Sequence, residues 1–151
     1  MKTKSLLSAL PLFALFMFLM TSCSNGPEPI SFGEDGCAFC KMTIVDTKFG
    51  AEIVSTKGKV YKFDALECML GFENKGYIES KDIKAHYVID ASQPAILVEA
   101  DKVQYLQSEN LPSPMGGNVS AFQDVNVLEQ MHSEFSGKML DWSGVKEAFK
   151  N

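Results

Sequence analysis

A short pattern, glycine-x-valine-x-x-phenylalanine, occurs twice in this chain and limits the folds that it can adopt. It occupies residues 58–63 and 117–122. In each copy, a β-rich run comes before the pattern, and a helical pattern and another β-rich run follow it. A single β-β-α-β unit of this size buries little apolar surface, so we expect the two units to pack together. The sequence therefore predicts an α+β fold of two similar β-β-α-β halves, packed as a compact pseudo-symmetric unit.

The first half is expected to begin with a hairpin. Its two strands cover residues 48–55 and 59–63, which are rich in β-branched and aromatic residues. Asp64 is expected to cap a helix that ends at Gly76, because Asp favours N-caps and Gly favours helix ends. A strand over residues 85–90 completes this half.

The second half is expected to repeat this order. Strands over residues 100–107 and 118–122 are separated by a turn rich in proline and glycine. Asp124 is expected to cap the second helix, and residues 138–142 to form the closing strand. Ser143 is then expected to cap a short helix at the end of the chain.

The first 22 residues have the composition of a secretory signal. Lys2 and Lys4 are followed by an apolar run over residues 6–20, and small residues lead up to Cys23. A basic start, an apolar centre and small residues before a cleavage site are typical of a segment that is removed on export. The ending Met-Thr-Ser-Cys resembles a bacterial lipobox, in which the cysteine is acylated and becomes the first residue. We therefore expect Cys23 to carry lipid, and the protein to be anchored to a membrane and to face the periplasm.

The mature chain is expected to consist of a tether and one folded domain. Residues 23–36 are rich in polar residues, glycine and proline, which is typical of a flexible tether. The domain is expected to cover residues 37–151, in halves of about 37–92 and 93–151.

Without the two signal lysines, 12 basic residues face 19 acidic ones, and the chain contains no arginine. Because nucleic-acid and phosphate sites depend on cationic side chains, often arginine, we expect no nucleic-acid partner.

Three cysteines remain besides Cys23, and two of them, Cys37 and Cys40, form a C-x-x-C pair. In an exported chain this odd number leaves at least one thiol without a disulfide partner. Cys68 lies in the first helical pattern and is interpreted as a small buried apolar residue. The pair itself is compatible with a structural disulfide, or with a zinc site completed by Cys68 and a histidine. A redox pair is a further alternative, although redox pairs lie at helix N-termini and a β-branched run follows this one.

The surroundings of the pair favour a fourth interpretation, binding of Cu(I). Thiolate and thioether groups are soft donors that select Cu(I) over hard cations. Met42 follows Cys40 by two residues, so in an extended segment the two side chains share one face. Met115 lies between a proline and two glycines, in a turn that places it on the surface. His132 is a weaker additional candidate, and His86 is interpreted as a structural residue.

Several short motifs occur in an order and spacing that resemble those of a known family. They are Cys37-x-x-Cys40-x-Met42, Phe63-Asp64 with Cys68-Met69, Tyr87-Val88-x-Asp90, Pro114-Met115-Gly116 and Ala121-Phe122. Together with the lipobox, this set resembles the NosL family, copper-binding lipoproteins associated with nitrous oxide reductase maturation. The resemblance covers roughly residues 37 to 150. Lys41 departs from it, since glycine is frequent at this position in the family.

The resemblance implies a metallochaperone and not an enzyme. It implies one bound Cu(I), with Cys40 and Met115 as the strongest ligands and Cys37 and Met42 next. The implied partners are a copper-delivery ABC-type complex and nitrous oxide reductase, with the membrane contacted through the lipid. Two alternatives stay open: a periplasmic thiol-disulfide redox protein that uses Cys37 and Cys40, and a general copper- or zinc-binding lipoprotein.

Overall fold

The structure, a computed structural model, describes residues 26–150. The first half of the fold is a four-stranded antiparallel sheet in the order β2-β1-β3-β4. Its helix, α1, packs on β1 and β2. The strand β1 is hydrogen-bonded on both edges, and all five of its residues are buried. The elements are β1 (Ala51–Ser55), β2 (Val60–Phe63), α1 (Leu66–Asn74), β3 (Ile83–Ile89) and β4 (Leu97–Glu99).

The second half is a three-stranded antiparallel sheet in the order β6-β5-β7. The longer of its two helices, α2, packs on β5 and β6, and the short helix α3 packs on β5 and β7. The elements are β5 (Gln104–Gln107), β6 (Val119–Phe122), α2 (Val125–Phe135), β7 (Lys138–Leu140) and α3 (Trp142–Ala148).

The two halves share one plan. In each, the first strand is central, its hairpin partner lies on one side, and the strand after the helix returns on the other. The register is also equivalent, because Phe63 pairs with the first residue of β1 and Phe122 pairs with the first residue of β5. Both phenylalanines are buried. The predicted α+β fold of two β-β-α-β halves is confirmed.

Several element ends in the first half differ from those predicted. The first strand begins at Ala51 and not at residue 48, because the Asp46 side chain accepts a hydrogen bond from the Lys48 N–H and closes a turn there. Asp64 does not cap α1. The N-cap residue is Ala65, which makes no side-chain cap bond. The strand β4 was not predicted from the sequence.

In the second half, the strand expected from residue 100 begins at Gln104. A single 3₁₀ turn precedes it, and the Tyr105 hydroxyl donates to the Ala100 carbonyl at 2.6 Å. Asp124 caps α2 as predicted, by accepting from the Asn126 N–H. Ser143 does not cap α3. Asp141 does so, since its carboxylate accepts from the Gly144 N–H at 2.7 Å.

One continuous apolar core joins the halves. Phe63 and Met69 of the first half lie in the same cluster as Tyr105 and Val119 of the second. The two sheets also meet at a parallel bridge between Asp90 and Ala121. This agrees with the expectation that neither half buries enough apolar surface alone.

Part of the segment expected to act as a tether lies against the domain. Ile30 is buried in the apolar core, and the Gly33 N–H donates to the Ile44 carbonyl at 2.8 Å. The Asp35 carboxylate pairs with the Lys62 ammonium at 2.8 Å. The signal peptide and Cys23 lie outside the described residues. Within residues 26–150, no helix is long and apolar enough to cross a bilayer.

Candidate metal centre

The C-x-x-C segment forms a closed turn and not the start of a helix. The Cys37 N–H donates to the Met42 carbonyl at 2.8 Å, and the Lys41 N–H donates to the Cys37 carbonyl at 3.1 Å. The Ala38 N–H donates to the Lys62 carbonyl at 2.8 Å, which ties the turn to β2. This placement lacks the helix N-terminus that activates thiols in redox pairs.

Lys41 adopts a backbone conformation that glycine tolerates better. Its φ is +68°, in the left-handed region where a Cβ costs about 1 kcal/mol. The side chain offsets part of this cost, because its ammonium donates to the Ala38 carbonyl at 2.6 Å. The backbone at Lys41 is therefore strained in a conformation that glycine would adopt without strain.

A third thiol completes the site. Cys68 lies in the first turn of α1, and its sulfur lies within 4.8 Å of the sulfurs of Cys37 and Cys40. Cys37 and Cys68 are buried, with 2% and 1% of their surface exposed, whereas Cys40 is partly exposed. The interpretation of Cys68 as a packing residue alone missed this proximity. The odd number of cysteines in an exported chain was the signal that one thiol needed another role.

The cluster favours one thiolate among three sulfurs. The Cys68 thiol donates to the Cys37 sulfur, which also faces the backbone N–H groups of Asp64, Cys40 and Phe39. These donors lower the pKa of Cys37 despite its burial. The same hydrogen bond, with burial, raises the pKa of Cys68, and burial raises that of Cys40. Binding of a metal by all three sulfurs would therefore release protons.

Asp64 lies beside the cluster. Burial, followed by the nearby charge of Cys37, raises the pKa of its carboxyl group. One carboxylate oxygen, Oδ1, has no hydrogen-bond partner in the described part of the chain. Asp64 precedes the N-cap residue, Ala65, by one position, and its carboxylate makes no cap bond to α1.

The spacing of the three sulfurs suits a soft metal ion. Three sulfurs at about 2.3 Å from one ion lie about 4 Å apart, so a cluster within 4.8 Å needs only a small closure. Among residues 26–150, this is the single group of three Cys, His, Asp or Glu side chains with ligand atoms this close together. Thiolates select Cu(I), zinc and similar soft or borderline ions over hard cations.

The structure places Met42 and Met115 on the surface, with 52% and 40% of each residue exposed. Met42 ends the cysteine turn. Met115 lies in the turn before β6. It lines a surface cavity of about 380 Å³ together with Phe39, which lies between the two cysteines of the C-x-x-C pair. Met115 thus lies on the same side of α1 as Phe39. The roles of both methionines as ligands stay predictions.

The two histidines lie outside the cluster. His86 contacts the Glu73 carboxylate at 3.0 Å and packs against the Trp142 ring, in agreement with its structural interpretation. A ring nitrogen of His132 lies 3.2 Å from the Gly137 carbonyl at the end of α2.

The ring of Phe39 holds the cysteine turn against α1. It packs edge-on to Tyr77, with ring centroids 6.1 Å apart. On the helix side it contacts Gly71, where an added Cβ would lie 2.8 Å from a ring carbon. A glycine inside a helix is unfavourable by about 1 kcal/mol, so its place here is explained by the close approach of the ring.

Comparisons with known proteins agree with this architecture. The sequence profile of the NosL family matches residues 29–149. The fold is similar to the crystal structure of the copper chaperone NosL from Shewanella denitrificans, with a TM-score of 0.68 and 18% sequence identity, over 79% of this chain and 94% of that one. A comparison with curated protein sequences finds no significant match. The family profile covers most of the chain, and the chain belongs to the NosL family.

Proposed function

We propose that this protein is a Cu(I)-binding metallochaperone, anchored to a membrane through lipid on Cys23 and facing the periplasm. The observation that carries the proposal is the cluster of Cys37, Cys40 and Cys68, whose sulfurs lie within 4.8 Å of one another. Membership of the NosL family and the similar fold of a solved copper chaperone support it.

The donor set favours Cu(I) over zinc. A closed structural zinc site takes four ligands, commonly sulfur and nitrogen. This cluster offers three sulfurs, with the thioethers of Met42 and Met115 on nearby turns, and neither histidine joins it. Thiolates and thioethers are ligands suited to Cu(I).

The burial of the site suits transfer. Cys37 and Cys68 are enclosed, whereas Cys40 is partly exposed and Met115 and Met42 are exposed. A partner can therefore approach from the side of Cys40 while the two inner sulfurs still hold the ion. Such a gradient from exposed to buried donors favours binding and release over permanent retention.

A thiol-disulfide redox function is less well supported. Cys37 has the thiol whose pKa is lowered, but it is 2% exposed, so a substrate disulfide cannot reach it without movement of the turn. The turn also lacks the helix N-terminus typical of redox pairs.

The test is an anaerobic Cu(I) titration of the reduced full-length protein in detergent, against a competing chromophoric chelator. We expect one Cu(I) per chain. Cys40→Ser and Cys68→Ser should each weaken binding by more than the roughly 10–100-fold effect of an outer-shell change. The role of Met115 is tested with Met115→Leu. Met139→Leu is its matched control, because Met139 is similarly exposed but lies on β7.

Two outcomes would contradict the proposal. One is a wild-type protein that binds no Cu(I) in competition with the chelator. The other is a wild-type protein that reduces a model disulfide catalytically while Cu(I) binding stays weak, which would favour the redox alternative.

The client is proposed from the family alone. We infer that the copper passes to an ABC-type complex that serves the maturation of nitrous oxide reductase. Deletion of the gene should then leave the reductase deficient in copper, and excess copper in the medium should restore part of the activity. Normal copper content of the reductase in the deletion strain would point to another client.

A further inference from the structure

A carboxylate on α1 contacts the turn that carries Met115. Glu67 precedes Cys68 in the helix, and its Oε1 atom accepts from the Gly117 N–H at 2.8 Å and from the Ser113 hydroxyl. These two donors flank Met115 in the sequence. One side chain of the first half therefore holds both ends of a turn that belongs to the second half.

The turn is a closed unit of its own. The Asn118 N–H donates to the Ser113 hydroxyl oxygen at 2.9 Å, and the Ser113 N–H donates to Oδ1 of Asn118 at 3.1 Å. The Gly116 N–H donates to the Ser113 carbonyl at 3.1 Å. Since these bonds fix the internal shape of the turn, the contact with Glu67 links the whole unit, including Met115, to α1.

Glycine at position 117 is required for this contact. A Cβ added at Gly117 would overlap the Cγ and carboxylate atoms of Glu67. The backbone of the turn thus approaches Glu67 more closely than any residue with a side chain would allow. The other carboxylate oxygen of Glu67, Oε2, is buried and has no hydrogen-bond partner in the described part of the chain.

We infer that Glu67 is a positioning residue that holds the Met115 thioether beside the cysteine cluster. The inference rests on the proposed function, because it assigns Glu67 a role through Met115 and not through direct contact with the metal. Cys68 supplies a sulfur from one residue of α1, and Glu67 orients a second sulfur donor from the adjacent residue. The first turn of α1 would then connect the donors of the two halves.

The first measurement concerns the turn without metal. Amide hydrogen exchange should show a protected Gly117 N–H in the wild type and faster exchange in Glu67→Ala. Glu67→Gln should keep the protection, because the amide oxygen accepts the same two hydrogen bonds. Glu129→Ala, which removes an exposed glutamate on α2, should leave the exchange unchanged.

The second measurement is a double-mutant cycle in Cu(I) affinity, with the full-length protein in detergent. We expect Glu67→Ala to lower the affinity roughly 10-fold, as typical of residues that orient a ligand. Met115→Leu should lower it at least as much, and the double variant should be no weaker than Met115→Leu alone. Glu67→Gln should bind nearly as tightly as the wild type.

The results separate the inference from the proposed function. If the losses of Glu67→Ala and Met115→Leu add, Glu67 acts independently of Met115 and the inference is wrong. It is also wrong if Met115→Leu binds Cu(I) as tightly as the wild type. A third contradicting result is wild-type Cu(I) affinity in Glu67→Ala together with lowered affinity in Met115→Leu. In each of these cases the wild type still binds Cu(I), so the proposed function stands. A wild type that binds no Cu(I) overturns both.

Discussion

Substitution of Gly71 by alanine tests whether Phe39 holds the cysteine turn in place. In an unhindered helix this change stabilises by about 1 kcal/mol. Here the added Cβ would lie 2.8 Å and 3.0 Å from two carbons of the Phe39 ring. Because overpacking costs about 1–3 kcal/mol, we expect a net loss of up to about 2 kcal/mol, since the two effects oppose each other.

The assay is thermal and chemical unfolding of the protein without metal, followed by Cu(I) titration. A loss of 1 kcal/mol lowers the Tm of a domain of this size by roughly 4 °C. Since Phe39 lies between Cys37 and Cys40, displacement of its ring should also weaken Cu(I) binding. Phe39→Leu in the Gly71→Ala background should recover part of the stability, because it removes the ring edge. An increase in the Tm of Gly71→Ala would refute this reasoning.

Three further substitutions test other parts of the interpretation. Lys41→Gly should raise the free energy of unfolding by up to about 1 kcal/mol, because it relieves the positive φ. If chemical denaturation instead gives a lower free energy of unfolding, the bond from the lysine ammonium outweighs the strain. Burial raises the pKa of Glu52 to about 7, so the folded state binds more protons than the unfolded state and stability falls as the pH rises from 4.5 to about 7. Glu52→Gln should therefore be more stable than the wild type above that range, by about 1–3 kcal/mol, with the difference absent at acidic pH. Cys23→Ala should release the protein from the membrane fraction or leave it unprocessed, and normal processing with unchanged membrane attachment would contradict the lipobox.

The order of the elements could be predicted because it depends on local pattern. Alternating β-branched residues, a hairpin turn and a helix ended by glycine are each specified within about ten residues. The repeat of residues 58–63 at 117–122 then extended the plan of one half to the other. The equivalent register of Phe63 and Phe122 shows that this likeness is structural.

The element ends were less predictable because side chains compete for the same backbone groups. Asp64 and Ser143 are both good N-cap residues, yet neither caps a helix here. Asp64 lies one residue before the N-cap of α1. Asp141 occupies the N-cap of α3 and accepts from the Gly144 N–H, whereas Ser143 already lies inside that helix. Local propensity names the residues able to cap, and tertiary contacts decide which of them does so.

The site shows the same division between local and distant information. Cys37, Cys40 and Met42 are close in sequence, so their proximity follows from the chain itself. Cys68 is distant in sequence and joins them through tertiary contacts. The Ala38 N–H bonds to the Lys62 carbonyl, the Asp64 N–H faces the Cys37 sulfur, and the Phe39 ring packs on Gly71.

These contacts bring the start of α1 beside the cysteine turn. No periodic pattern in the sequence shows that the cysteine turn packs at this place on the helix. The helical pattern alone assigns Cys68 to the core, and the structure does place it there. A buried residue and a candidate metal ligand are therefore compatible descriptions of one side chain. The same reasoning applies to Glu67, whose partners Ser113 and Gly117 lie 46 and 50 residues away along the chain. The cysteine turn of one half and the turn that carries Met115 in the other half both contact the first turn of α1. The sequence pattern alone does not reveal this meeting, because the partners are distant along the chain.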